Sequence, residues 1–128
     1  MILFNGSLKH NMPLVVLNAN SSVISGTTII ALTAFLPKVV SEALHVPTNH
    51  KAWLGPNDIE VRIQLSHILD ANSLPLAIDI TANDYPERKE NLDKRVAQIT
   101  EKIRDTFPDL RGRAYVWIIL VPGSFELI

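Results

Sequence analysis

LPLAIDITANDYPERKENLDKRVAQITEKIRDTFPDLRGRAYVWIILV, residues 74–121, reads as strand, helix and strand in succession. Leu74 to Ala82 is apolar and partly β-branched and follows the polar link Asp70-Ala71-Asn72-Ser73, which predicts a strand. Asn83-Asp84-Tyr85-Pro86-Glu87 then carries helix-start chemistry: Asp84 can cap, the fixed φ of Pro86 suits a first turn, and Glu87 meets the positive helix end. Leu92, Val96, Ile99, Ile103 and Phe107 recur at helical spacing and predict one apolar stripe on one helix, ended by Pro108. Ala114 to Val121 is apolar throughout, which predicts a final strand that is central and buried. Pro122-Gly123-Ser124 then turns the chain into a tail, Phe125 to Ile128.

The same order stands upstream. Leu14 to Ala19 follows Pro13 and precedes Asn20-Ser21-Ser22, so it reads as strand and turn. From about Thr27 to Leu44, the apolar residues Ile30, Phe35, Leu36, Val39, Val40, Ala43 and Leu44 predict a helix with Thr27 or Thr28 as N-cap. Pro37 inside that pattern predicts a kink or a late helix start. Val46 to Asn57 reads as a loop, and Ile59 to Leu65 alternates as a strand with one wet face. Met12-Pro13-Leu14 and Leu74-Pro75-Leu76 each open a strand, 62 positions apart, so the chain reads as a repeat of two βαβ units. The expected fold class is α+β: a four-stranded mixed sheet with two helices on one face, in one domain. Its expected parts are an extension at 1–11, a first unit at 12–70, and a second unit with its tail at 71–128. The other sheet face then needs a cover, which for a chain this small predicts a second copy of itself.

Composition narrows the function. The 128 residues are 47% apolar and 20% charged, ordinary for a folded domain. Lys and Arg number 12 against 13 Asp and Glu, so no positive surplus drives binding to nucleic acid. The chain has no Cys, which removes disulfides and thiolate nucleophiles and fits the cytoplasm. Val23 to Leu36, broken by Ser25, Gly26, Thr27, Thr28 and Thr33, is too short to span a bilayer and begins too deep for a secretory signal, so it reads as buried helix. His10, His45, His50 and His67 have no helical pairing that would hold a metal, and no phosphate loop or nucleophile elbow is present. No cofactor and no metal are expected.

Met12-Pro13-Leu14-Val15-Val16 resembles the start of tautomerase-superfamily proteins, the group that includes 4-oxalocrotonate tautomerase and macrophage migration inhibitory factor. The 117 residues from Met12 onward are similar in length to the long, trimeric members with two fused βαβ units. Val61-Arg62-Ile63 is similar to the segment in which the family carries a substrate-binding arginine, and Gly123-Ser124-Phe125 to one that supplies an apolar wall. The doubled βαβ pattern suits either the ferredoxin-like plait or the tautomerase fold, and the resemblance implies the tautomerase fold. It also implies a homotrimer and cofactor-free keto-enol isomerisation of small unsaturated or keto acids.

Under that resemblance Pro13 is the catalytic base, provided translation starts at Met12 and Met12 is removed. A free proline is a secondary amine, and desolvation beside cations brings it toward neutrality as a base, whereas an internal proline nitrogen is an amide with no basic lone pair. Arg62 would hold a substrate carboxylate, with Trp117 and Phe125 keeping the pocket dry. A second arginine of the short members falls on Val23 in the first half and Tyr85 in the second, with Arg88 three residues on, so the substrate clamp is incomplete, with Tyr85 and Arg88 as further substrate-binding candidates. The lysine that ends the first helix in one branch falls near Val46. Each candidate also has an ordinary account: Pro13 as a strand opener, Arg62 and Arg88 as solvated side chains, Trp117 as a core or interface anchor. If residues 1–11 stay attached, the expectation is a catalytically silent relative or a ferredoxin-like binding protein.

Overall fold

The computed structural model describes residues 13–67, 70–71, 73–123 and 128. In chain order the elements are β1 (Leu14–Ala19), α1 (Gly26–Leu44), β2 (Glu60–Leu65), β3 (Leu76–Asn83), α2 (Pro86–Glu90), α3 (Leu92–Thr106) and β4 (Ala114–Val121). The sheet order is β2-β1-β3-β4. β1 runs parallel to β2 and β3 parallel to β4, while β1 and β3 meet antiparallel, Leu14 opposite Thr81 and Ala19 opposite Leu76. In the ferredoxin-like plait another strand splits each βαβ pair. Here both parallel pairs stay adjacent, so the plait is excluded and the expected mixed sheet of two whole βαβ units is present.

Period-two alternation sets the core. Val15, Leu17 and Ala19 of β1 and Leu76, Ile78, Ile80 and Ala82 of β3 are buried against Leu32, Leu36, Val40 and Leu44 of α1 and Ile99 and Ile103 of α3. Phe35 and Phe107 join the two long helices edge to face, with ring centroids 5.4 Å apart. At 19 residues and mean hydropathy 1.4, α1 is long and apolar enough to cross a membrane. In this fold its apolar stripe lies in the core.

Four expectations are corrected. The N-cap of α1 is Ser25, whose Oγ accepts from Thr28 N at 3.2 Å, so the helix begins earlier than Thr27. Pro37 does not delay it: α1 runs unbroken to Leu44, with the carbonyl of Thr33 losing only its proline donor. The helix after β3 is two helices, because Asn91 leaves helical geometry at φ −131° and ψ 36°. That break turns α2 inward and buries Arg88, while Arg95 Nε donates to Asn91 Oδ1 at 2.7 Å. Finally, β4 is an edge strand and not a central one. Its uniform apolarity serves two faces: Val116, Ile118 and Leu120 pack on the core, while Tyr115, Trp117 and Ile119 on the other face are 43%, 59% and 38% exposed.

Candidate functional site

Pro13 is buried immediately before β1, and its carbonyl accepts from Glu60 N at 3.0 Å. Leu14 pairs with Glu60 on one side and Thr81 on the other. The end of the sheet that holds Pro13 is therefore the end at which β3 finishes and Asn83, Asp84 and Tyr85 lead into α2. Because α1 runs antiparallel to the strands that it connects, its C-terminus returns to this same end.

Arg88 fills the junction and is wholly buried. Its Nε donates to Leu44 O at 3.0 Å and its Nη1 to Asn83 O at 3.1 Å, so one side chain ties the last turn of α1 to the last residue of β3. Its guanidinium carbon lies 5.1 Å from the Tyr85 ring centroid. The Tyr85 hydroxyl lies 3.4 Å from Lys51 O as a long hydrogen bond. Burial pushes the Arg88 guanidinium down to about 10, opposed by Tyr85 and reinforced by the like charge of Arg95, so it stays charged at neutral pH. Arg95 is lowered as well, chiefly by desolvation, and donates to Ala43 O at 2.9 Å, His45 O at 3.2 Å and Glu87 O at 3.3 Å.

Buried polar atoms without a partner are uncommon, and each one calls for an explanation. Among the described residues five side-chain atoms are in this state, and four of them belong to segments at this end of the sheet: Asp58 Oδ1, Asp84 Oδ1, Glu87 Oε1 and Arg88 Nη2. Asp84 already has Lys89 at 3.2 Å through its other oxygen. Sequence reasoning missed Asp58 and Glu87. Asp58 directly follows the stretch read as a loop, Val46 to Asn57, and nothing local says that its carboxylate is buried.

The structure brings Pro13, Tyr85 and Arg88 to one end, and it does not bring Arg62 or Trp117 there. Register places both on the open sheet face, in one row: Arg62 opposite Val16, Val16 opposite Asp79, and Asp79 opposite Trp117. Three strand spacings separate them, roughly 14 Å. Arg62 pairs with Glu60 at 2.7 Å on that exposed face, and Asp79 accepts from Asn18 Nδ2 at 3.0 Å beside it. Phe125 lies outside the described residues.

No family model and no curated sequence matches the chain. Solved structures do match in shape. A member of the cis-3-chloroacrylic acid dehalogenase family superposes with a TM-score of 0.57 at 14% identity, over 86% of this chain and 76% of that one. A macrophage migration inhibitory factor-like protein from Entamoeba histolytica superposes with a TM-score of 0.51 at 12% identity, over 88% of this chain and 90% of that one. At such identities the likeness is one of fold: the four-stranded mixed sheet with its helices is the tautomerase-like fold of these two neighbours.

Proposed function

From a tautomerase-superfamily fold with a buried proline opening its first strand, we propose that this chain is a cofactor-free keto-enol isomerase of small unsaturated or keto acids. The observation that carries the reading is the grouping of Pro13 with Arg88, a wholly buried cation with one unpaired N–H group, at the same end of the sheet. Released as an N-terminus, Pro13 is a secondary amine in a dry, cation-bearing surrounding, and both influences favour its neutral, basic form. The amine takes a proton from the enol hydroxyl or from carbon, the electron pair moves into the conjugated system, and the ammonium returns that proton to the carbon at its far end. Arg88 Nη2 holds the substrate carboxylate, and the Tyr85 ring forms the wall over it.

The open face of the sheet supports self-association, with Trp117 as its anchor. In this reading the chain is a homotrimer, and Arg62 and Trp117, which one subunit keeps on its open face, serve the site from a neighbouring subunit. The absence of Cys and a near-neutral charge suit the cytoplasm.

The test is the intact mass of the protein isolated from its natural host. A mass that starts at Pro13 supports the isomerase. A mass retaining residues 1–12 leaves an amide at Pro13 and removes it. One observation favours a silent relative as the second reading: Arg88 Nε and Nη1 are committed to backbone carbonyls, the contacts of a structural residue.

A further inference from the structure

A cleft of about 80 Å³ opens between the last turns of α3 and the start of β4, at the end of the sheet away from Pro13. Its floor is apolar: Ile78, Ile103 and Leu110 line it, and all three are buried. Two exposed arginines, Arg104 and Arg111, line it as well, with Tyr115 at the β4 side.

Both arginines stand on rigid supports. Arg104 is in the last turn of α3, directly after the buried Ile103. Arg111 occupies the first corner of a type II turn from Leu110 to Arg113, defined by φ −56° and ψ 126° at Arg111, φ 72° at Gly112 and a 2.9 Å bond from Arg113 N to Leu110 O. The positive φ makes glycine the residue for the second corner. Leu76 N donates to Arg113 O at 3.2 Å and fastens the turn to the start of β3.

Neither guanidinium has a hydrogen bond or ion pair among the described residues. The carboxylates nearest in sequence turn elsewhere: Asp105 lines the groove between α1 and α3, and Asp109 lines a cleft beside Val23. No acidic residue lines the cleft of Arg104 and Arg111. Like charges on one small cleft repel, and an anion seated between them removes that cost. A fully hydrated anion such as phosphate leaves the apolar floor unused. A carboxylate with a hydrocarbon tail uses both parts, its head on the planar guanidinium forks and its tail on the floor.

We propose that this cleft is a second ligand site, and that its ligand is a small monocarboxylate with a short aliphatic tail. Arg104 and Arg111 hold the carboxylate, and Ile78, Ile103 and Leu110 receive the tail. A volume of about 80 Å³ exceeds what a few waters need and suits a short chain, not a long acyl chain. Leu76 pairs with Ala114 at this end of the sheet, whereas Leu14 pairs with Thr81 at the end that holds Pro13 and Arg88. The site therefore needs neither a released Pro13 nor isomerase activity.

The experiment titrates the full chain with sodium hexanoate and follows its amide and methyl signals by two-dimensional NMR. Signals of Ile103, Leu110 and Gly112 are expected to shift with a dissociation constant on the order of 1–10 mM. Acetate, which has the head without the tail, and 1-hexanol, which has the tail without the head, are each expected to bind at least about fivefold more weakly. Arg104→Gln and Arg111→Gln are each expected to weaken hexanoate about fivefold, and both side chains are exposed, so the fold survives. Arg113→Gln, on the same turn but lining a different cleft, is expected to leave the affinity unchanged. No shift at these residues, acetate binding as tightly as hexanoate, or unchanged binding in Arg104→Gln and Arg111→Gln each overturn the proposal. Shifts confined to Tyr85 and Arg88 overturn it too, since hexanoate then occupies the Pro13 end.

Discussion

Arg88 Nε donates to Leu44 O across 3.0 Å, joining the segment after β3 to the last turn of α1. α1 carries no basic residue in its own last turn. Its terminal carbonyls are met from outside, Leu44 O by Arg88 and Ala43 O by Arg95, with His45 O just beyond also on Arg95. Removing Arg88 takes the donor from the buried Leu44 carbonyl and leaves Asn83 O to Tyr85 N, so Arg88→Met is expected to cost about 2–4 kcal/mol in urea denaturation. Arg88→Lys is expected to recover less than half of it, because an ammonium cannot span Leu44 and Asn83 with a planar fork. A loss under about 0.5 kcal/mol for Arg88→Met would refute the bridging role.

The same guanidinium fixes a pH dependence. Its folded value, about 10, lies below the ordinary guanidinium range, so between the two the unfolded chain binds more protons and stability rises with pH. Below about 10 both states hold the proton, and the desolvation cost is present in full. The stability difference between wild type and Arg88→Met is therefore expected to be flat from pH 6 to 9 and to widen in favour of wild type above about pH 10. Urea titrations across that range check it, and a slope between pH 6 and 9 would contradict the assignment of a permanent charge.

Much of this architecture was legible in the sequence because period-two and helical alternation were strong where one face alone is buried. Residues 14–19 and the stripe from Leu92 to Phe107 are of that kind. β4 misled because Trp117 and Tyr115 are apolar on the face away from the helices: a strand with an open apolar face reads like a central strand. The break at Asn91 left no local mark, since what it accompanies is tertiary: Arg88, on the helix before it, bonds to carbonyls 44 and 5 residues away in sequence. Of the candidate site, Pro13, Tyr85 and Arg88 were named from resemblance. Asp58 and Glu87 were not, because burial of a carboxylate is decided by tertiary contacts.

The open face yields its own expectation. Trp117 stands at the middle of β4, opposite Asp79, with Tyr115 and Ile119 flanking it on the same face. If copies of the chain cover this face, Trp117→Glu weakens association at least tenfold while far-ultraviolet circular dichroism stays that of the folded chain. Sedimentation velocity reads the difference. An unchanged sedimentation coefficient at equal concentration would show that this face is not the interface.

The central claim is that the Pro13 nitrogen moves a proton, and the most direct measurement is the ketonisation rate of enolic phenylpyruvate with the chain that begins at Pro13. The expected result is a rate above buffer that falls about 100-fold or more in Pro13→Ala and is absent from the full chain, with Arg62→Ala acting mainly on KM. Equal rates in the Pro13 chain, its Pro13→Ala variant and buffer would contradict the account.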